Sequence, residues 1–209
     1  YDEIWVYGLP QICNPLEGIE LPDNVRRKMI YTGYLPRFLS DGPPERQLPE
    51  ITRRPFLLVT PGGGGDGAGL IEWVLRAYES NEFIPYPALL VLGPFMPREQ
   101  RADFIARCQR LKRVEAITFE AHMEHLVSNA VGVVAMGGYN TFCEILSLDK
   151  RAIIVPRTEP RMEQYIRATR AEELGLVRVL KDDGEYDPTR MAAALRALPA
   201  QPLPSNVVV

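Results

Sequence analysis

The stretch Thr60-Pro-Gly-Gly-Gly-Gly-Asp-Gly-Ala-Gly69 is the richest in glycine in the chain. Gly62, Gly63, Gly64, Gly65 and Gly67 remove every Cβ from the turn, which lets backbone N–H groups approach an anion at the start of the helix that follows. A phosphate or diphosphate suits such a turn. A tight strand-to-helix connection also favours glycine, but needs fewer of them. The pattern Gly63-x-Gly65-x-x-Ala68 resembles a dinucleotide fingerprint only superficially, and the absence of a following Lys-Ser or Lys-Thr excludes a Walker-type loop.

A second glycine turn, Gly137-Gly138-Tyr139-Asn140-Thr141, follows the apolar run 131–136, and a helix is expected to open at Asn140 or Thr141. Glu144 then lies one helical turn in, facing the strand ends, where a carboxylate can accept two hydrogen bonds from the vicinal hydroxyls of a ribose. A capping or surface glutamate is the plainer reading. Two such helix starts on one sheet edge imply one crevice. A third polar segment, after the run 153–156, brings Glu163 and Gln164 to a helix start at the same edge, where they suit sugar hydroxyls or simply solvent.

Metal chemistry is not indicated. His122 and His125 share a helix face but have no third ligand at matching spacing, and they read as cleft-edge or surface residues. No Asp-x-Asp is present to hold a metal on a diphosphate, so the charge of a bound diphosphate would be met by helix N-termini and by Arg157 or Arg161. The basic runs 26–28 and 110–113 read as solvated faces, with attraction to a membrane surface as the minor alternative.

These residues need a scaffold, and the apolar pattern supplies one. Short runs rich in branched residues at 56–60, 88–93, 114–119, 131–136, 151–155 and 177–180 read as strands buried on both faces. Between and after them, segments 70–79, 98–111, 123–129, 140–148, 164–174 and 188–198 have helical length and spacing. The alternation predicts a Rossmann-like α/β sandwich with a parallel sheet. Upstream, 4–7 and 29–34 read as short strands and the proline-rich stretch 9–23 as a connection. Residues 40–54, rich in proline and charge, read as a loop or linker, and 199–209 as a loose end.

A chain of 209 residues, 46% hydrophobic and 24% charged, can bury one full domain. Its net charge of -3 shows no basic surplus, so nucleic acid is not an expected partner. Cys13, Cys108 and Cys143 are an odd, scattered set that suggests neither a disulfide framework nor zinc, and a reducing, cytoplasmic setting is expected. No apolar run approaches the roughly 18 residues of a transmembrane helix.

As a set, these residues resemble the C-terminal, donor-binding domain of the GT-B glycosyltransferases close to the lipid II N-acetylglucosaminyltransferase, in glycosyltransferase family 28. The resemblance spans about 56–176 and rests on the family's Ser-Gly-x-x-Thr-x-x-Glu, met here by 137–144 with Gly137 in place of the serine. It implies that Thr141 and the adjacent amides face the diphosphate and that Glu144 binds ribose. It also implies that Phe119, Glu120 and Met123 flank a uracil, chiefly through main-chain contacts. The family's Gln-Gln stands here as Glu163-Gln164 and its later Asn-Ala as Arg167-Ala168, which leaves the donor sugar open.

The opening strand and Tyr31-Thr-Gly-Tyr-Leu-Pro36 look like the end of an acceptor domain and the interdomain connection, as though the chain were excised from something longer. On this division, 1–36 closes the acceptor domain, 37–54 links and 55–198 binds the donor. The expectation is one half of an inverting, metal-independent enzyme that moves a hexosyl group from a UDP-sugar to an acceptor hydroxyl. It has no cofactor besides that donor, its general base lies in the N-terminal domain, and the isolated chain is inactive. Four alternatives stand beside it: a UDP-sugar epimerase or hydrolase, the donor subunit of a two-chain transferase, a dinucleotide-dependent oxidoreductase and a non-enzymatic nucleotide-binding module. The oxidoreductase is disfavoured because Glu82, the acid about 20 residues past the first glycine turn, ends no strand.

Overall fold

A computed structural model describes residues 1–12, 14, 19–40, 48–63, 65–80, 82–160 and 162–207. Two short strands, β1 (Ile4–Tyr7) and β2 (Met29–Gly33), pair in parallel, with a turn of helix, α1 (Asp23–Arg26), between them. The expected connection over 9–23 and linker over 40–54 fall partly outside the described residues, as does Cys13.

The remainder alternates as the apolar runs predict: β3 (Leu57–Thr60), α2 (Ala68–Glu79), β4 (Ala88–Val91), α3 (Arg98–Gln109), β5 (Val114–Ile117), α4 (Met123–Asn129) and β6 (Gly132–Ala135). It continues with α5 (Tyr139–Ser147), β7 (Ala152–Ile154), α6 (Glu163–Glu173), β8 (Arg178–Val179) and α7 (Pro188–Ala197). Helices α5 and α6 each begin one residue earlier than expected, and α3 stops two residues earlier.

The six strands β3 to β8 form one sheet in the order β5-β4-β3-β6-β7-β8, and every neighbouring pair is parallel. Strands β3, β4, β6 and β7 are buried at every residue, because side chains alternate between faces and both faces are covered. Leu57, Val59, Leu90 and Ile153 pack under α2, α3 and α7, while Leu58, Leu89, Val133 and Ile154 pack under α4, α5 and α6. The small β1-β2 sheet sits on the second of these layers, with Tyr34 and Phe142 ring centroids 5.1 Å apart and Ile12 buried in the core.

The C-terminal stretch is not the loose end that its prolines suggested. Pro204 is buried, and the N–H and hydroxyl of Ser205 both donate to the Asp149 carboxylate at 2.8 Å. Two charge-assisted bonds and an apolar contact outweigh the disorder of a short tail.

Trp73 on α2 is fully buried and donates from Nε1 to the Asp187 carbonyl at 2.7 Å, which ties α2 to the start of α7. Replacing it should leave a cavity and remove one of the two bonds that the Asp187 carbonyl accepts, the other coming from Met191 N–H. Trp73→Ala is expected to cost about 3–5 kcal/mol, read as a lower urea midpoint at unchanged m-value.

Candidate functional site

In the sheet order, β3 lies between β4 and β6, so the chain winds outward in opposite directions from β3. Loops leaving the C-terminal ends of β3 and β6 therefore diverge and leave a crevice, the position where open α/β sheets take ligands. Three central strands leave the sheet through left-handed glycines: Gly62 after β3 at φ +88°, Gly93 after β4 at +89° and Gly137 after β6 at +76°. Only glycine turns there without strain.

A pocket of about 320 Å³ opens at this edge. Its floor and one wall are Thr60, Gly62, Gly63, Asn140, Thr141 and Glu144, and the rest is Val91, Gly93, Pro94, Phe95, Phe119, Glu120 and Met123. The lining runs from an end over β4 and β5 that is mostly apolar but includes Glu120 to a polar end over β3 and β6. The structure thus brings together Gly62, Gly63, Phe119, Glu120, Met123, Asn140, Thr141 and Glu144 from the residues picked out by sequence.

The glycine loop is only partly what its composition suggested. Gly62 N–H already donates to Thr60 Oγ1 at 3.1 Å, and Gly64 lies outside the described residues. A Cβ on Gly65 would meet the Phe95 carbonyl oxygen at 3.1 Å, and one on Gly67 would meet Pro61 Cβ at 2.0 Å. A side chain would clash with Pro61 at Gly67 and crowd the Phe95 carbonyl at Gly65, so close packing favours glycine at both. Gly63 alone has nothing within 4 Å of its would-be Cβ.

The start of α2 does not face this pocket. Asp66, Gly69 and Leu70 line a neighbouring cleft of about 350 Å³ with Pro156, Arg157 and Tyr186, and Arg157 pairs with Asp66 at 2.7 Å. The two helix starts consequently serve two clefts, separated by the glycine loop. Arg161, the other cation considered for this edge, lies outside the described residues.

Three other expectations change. Tyr139 turns away, stacking on Tyr34 at 5.9 Å and accepting a bond from Leu35 N–H at 3.3 Å. Gln164 is buried against the Arg157 backbone and Glu163 is exposed, and neither lines either cleft, because the first turn of α6 packs one side inward and leaves the other in solvent. Gly137 departs from the family's serine for a steric reason: its φ is +76° and a Cβ would lie 2.8 Å from Ile154 Cγ2. Gly138 caps α5 with open space around its would-be Cβ.

Sequence reasoning did not pick out Thr60, Val91, Gly93, Pro94 or Phe95 as lining residues, and of these Phe95 is the large exposed side chain. It is 74% exposed at the pocket rim, beside Phe119 at 55%, and the only signal for it was a large apolar residue between two prolines after a strand. Arg167 was likewise seen only as a departure from the family. Just 7% exposed, it donates from Nη1 to the Gly137 carbonyl at 2.9 Å and lies 5.9 Å from the rings of both Tyr139 and Phe142.

His122 and His125 converge on the Ser40 hydroxyl, at 3.3 and 3.1 Å, with Glu124 Oε1 at 2.6 Å from the same oxygen. This knot ties the segment after β2 to α4. Among the described residues no group of His, Cys, Asp or Glu is arranged to hold a metal. Cys108 and Cys143 are buried free thiols, and burial pushes the Cys108 thiol up to about 11. Among the described residues no helix is long and apolar enough to cross a membrane.

Solved structures with this fold include the calicheamicin glycosyltransferase CalG4, at 20% identity and TM-score 0.59 over 85% of this chain and 40% of that one. The glycosyltransferase VinC in complex with dTDP aligns at 23% and 0.55 over 79% and 39%. Acinetobacter baumannii MurG aligns at 15% and 0.51 over 72% and 46%. This chain thus spans less than half the length of each. Together they show that its fold is the Rossmann-like one found in the C-terminal half of GT-B folds. Residues 57–205 match the glycosyltransferase family 28 C-terminal domain, and the chain belongs to that family. No curated protein sequence matches it.

Burial holds the Glu144 carboxyl above the usual carboxylate range; nearby Arg37 partly opposes this and Glu124 adds to it. A carboxyl whose pKa is raised by folding binds its proton more tightly in the folded state, so its cost is absent below the ordinary value near about pH 4. That cost grows as pH rises through the raised value and stays constant above it. Glu144→Gln should therefore be more stable than the parent at neutral pH and equal to it in acid, as read from urea unfolding at both. A variant less stable at neutral pH would contradict this account.

Proposed function

We propose that this chain is the donor-binding half of a glycosyltransferase and holds a nucleoside diphosphate sugar in the pocket between β3 and β6. The observation that carries the reading is the polarity of that pocket. An aromatic and aliphatic end at Phe95, Phe119 and Met123 fits a planar base, and a polar end at Asn140, Thr141 and Glu144 fits ribose and phosphate.

In this reading Glu144 accepts from the ribose hydroxyls, and the open Gly63 backbone with the start of α5 faces the diphosphate. The nucleotide is a pyrimidine, with UDP the first choice from the family resemblance and dTDP the second from the VinC complex. An acceptor hydroxyl attacks the anomeric carbon of a hexosyl group, the bond from that carbon to the diphosphate oxygen breaks, and the hydroxyl proton passes to a base. The configuration inverts, and no metal takes part. The diphosphate leaves into preorganised N–H groups, which stabilise its developing charge. The acceptor site and the base belong to another part of the full-length enzyme, so this chain binds donor without turning it over.

A dinucleotide-dependent oxidoreductase is less well supported. Strand β4 runs out through Leu92 and Gly93, and Glu82 is paired with Arg196 at 2.9 Å, remote from the pocket.

The test is a thermal-shift titration of the chain with UDP, dTDP, GDP, NAD and UDP-hexoses. At about a hundred times the dissociation constant a ligand should add roughly 2.7 kcal/mol. Stabilisation by UDP or dTDP that is lost in Glu144→Ala is the expected result. Stabilisation by NAD alone, or by none of the panel, would overturn the reading.

A further inference from the structure

The pocket has a charge problem. Its described lining includes two carboxylates, Glu120 and Glu144, and neither Lys nor Arg, yet the proposed ligand carries several negative charges. The nearby cations differ in their commitments. Arg157 is paired with Asp66 in the neighbouring cleft, and Arg167 is held by the Gly137 carbonyl between two rings.

Arg37, in the segment that leaves β2, is differently placed. Its backbone N–H donates to Ser147 Oγ at 2.9 Å, which fixes the residue across α5. Its Nη2 donates at 2.6 Å to Oδ1 of Asn140, a pocket-lining residue in the first turn of α5. Its Nε, like that of Arg157, is buried without a partner, but unlike Arg157 its guanidinium has no carboxylate within ion-pair distance among the described residues. Its field reaches the pocket, since it pulls the Glu144 carboxyl down against burial. Among the described residues, then, this guanidinium, one hydrogen bond from the pocket wall, is a cation without an anion.

We propose that Arg37 is the counter-charge of the donor diphosphate, its guanidinium reaching a phosphate oxygen while Asn140 holds it at the pocket edge. The proposal rests on the pocket being the nucleotide site. It gives the charge-binding role to the segment that joins the two sheets, outside the strand-and-helix core that carries the other binding residues.

The experiment is calorimetric titration of the wild-type chain, Arg37→Met and Arg37→Lys with UDP and uridine, and with dTDP and thymidine, at low and high salt. A charged hydrogen bond to phosphate predicts that Arg37→Met binds the diphosphates about tenfold or more weakly while nucleoside affinity is unchanged. Arg37→Lys should recover part of the loss, and the salt dependence of diphosphate binding should be shallower in Arg37→Met. Equal loss of nucleoside and diphosphate would show that Arg37 only shapes the pocket, and no loss of either would show that it is a bystander; each overturns the Arg37 assignment and leaves the pocket reading standing. Failure of the wild-type chain to bind any of these ligands overturns both.

Discussion

The pairing of β3 with β6 is the contact on which the functional edge depends. Leu57, Leu58, Val59 and Thr60 lie in register with Gly132, Val133, Val134 and Ala135, and that pairing joins the two oppositely wound halves of the sheet. A slip of one residue would turn both inward-facing sets toward the wrong layer of helices. It would also shift Thr60 against β6 and carry with it Gly62, whose N–H it receives, and so displace the loop that lines the pocket. Close packing reinforces the register from behind, where a Cβ on Gly132 would fall 2.7 Å from Leu198 at the end of α7. The loops at this edge are therefore held by a rigid, dry interior.

The segment after β2 adds a second layer of constraint. Tyr34 packs on Phe142, Arg37 bonds α5 through Asn140 and Ser147, and Ser40 bonds α4 through Glu124 and both histidines. These contacts span the two helices whose first two turns supply Thr141, Glu144 and Met123 to the pocket. A displacement of the small sheet would be transmitted to the pocket wall through side chains that are already in contact. A ligand held in this pocket would be coupled to the position of that segment, and such coupling would act equally in both directions.

The scaffold was legible because strands covered on both faces must be apolar at nearly every residue, and 56–60, 88–93, 131–136 and 151–155 could hardly be read otherwise. Helix spacing was legible for the same reason of burial. The site was legible where a backbone feature fixes it: the glycine exits, the start of α5 and Glu144 one turn later. Legibility ended where side-chain direction or long-range contact decides. Nothing in Tyr139 itself says that it turns toward Tyr34, and nothing in Arg37 says that it meets Asn140, 103 positions away. Composition misled at Gly65 and Gly67, whose lack of a side chain answers to Phe95 and Pro61. The tail misled for the opposite reason, since its anchor is the distant Asp149.

The buried Arg167 has an electronic consequence. The carbonyl it binds belongs to the same peptide unit as the Gly138 N–H, and a guanidinium on the oxygen draws electron density along that unit toward the arginine. The N–H at the other end becomes a stronger donor, at a residue whose missing side chain leaves room for an approaching acceptor. A buried cation thereby sharpens the amide immediately before the first turn of α5, conveying its influence through bonds as well as through space.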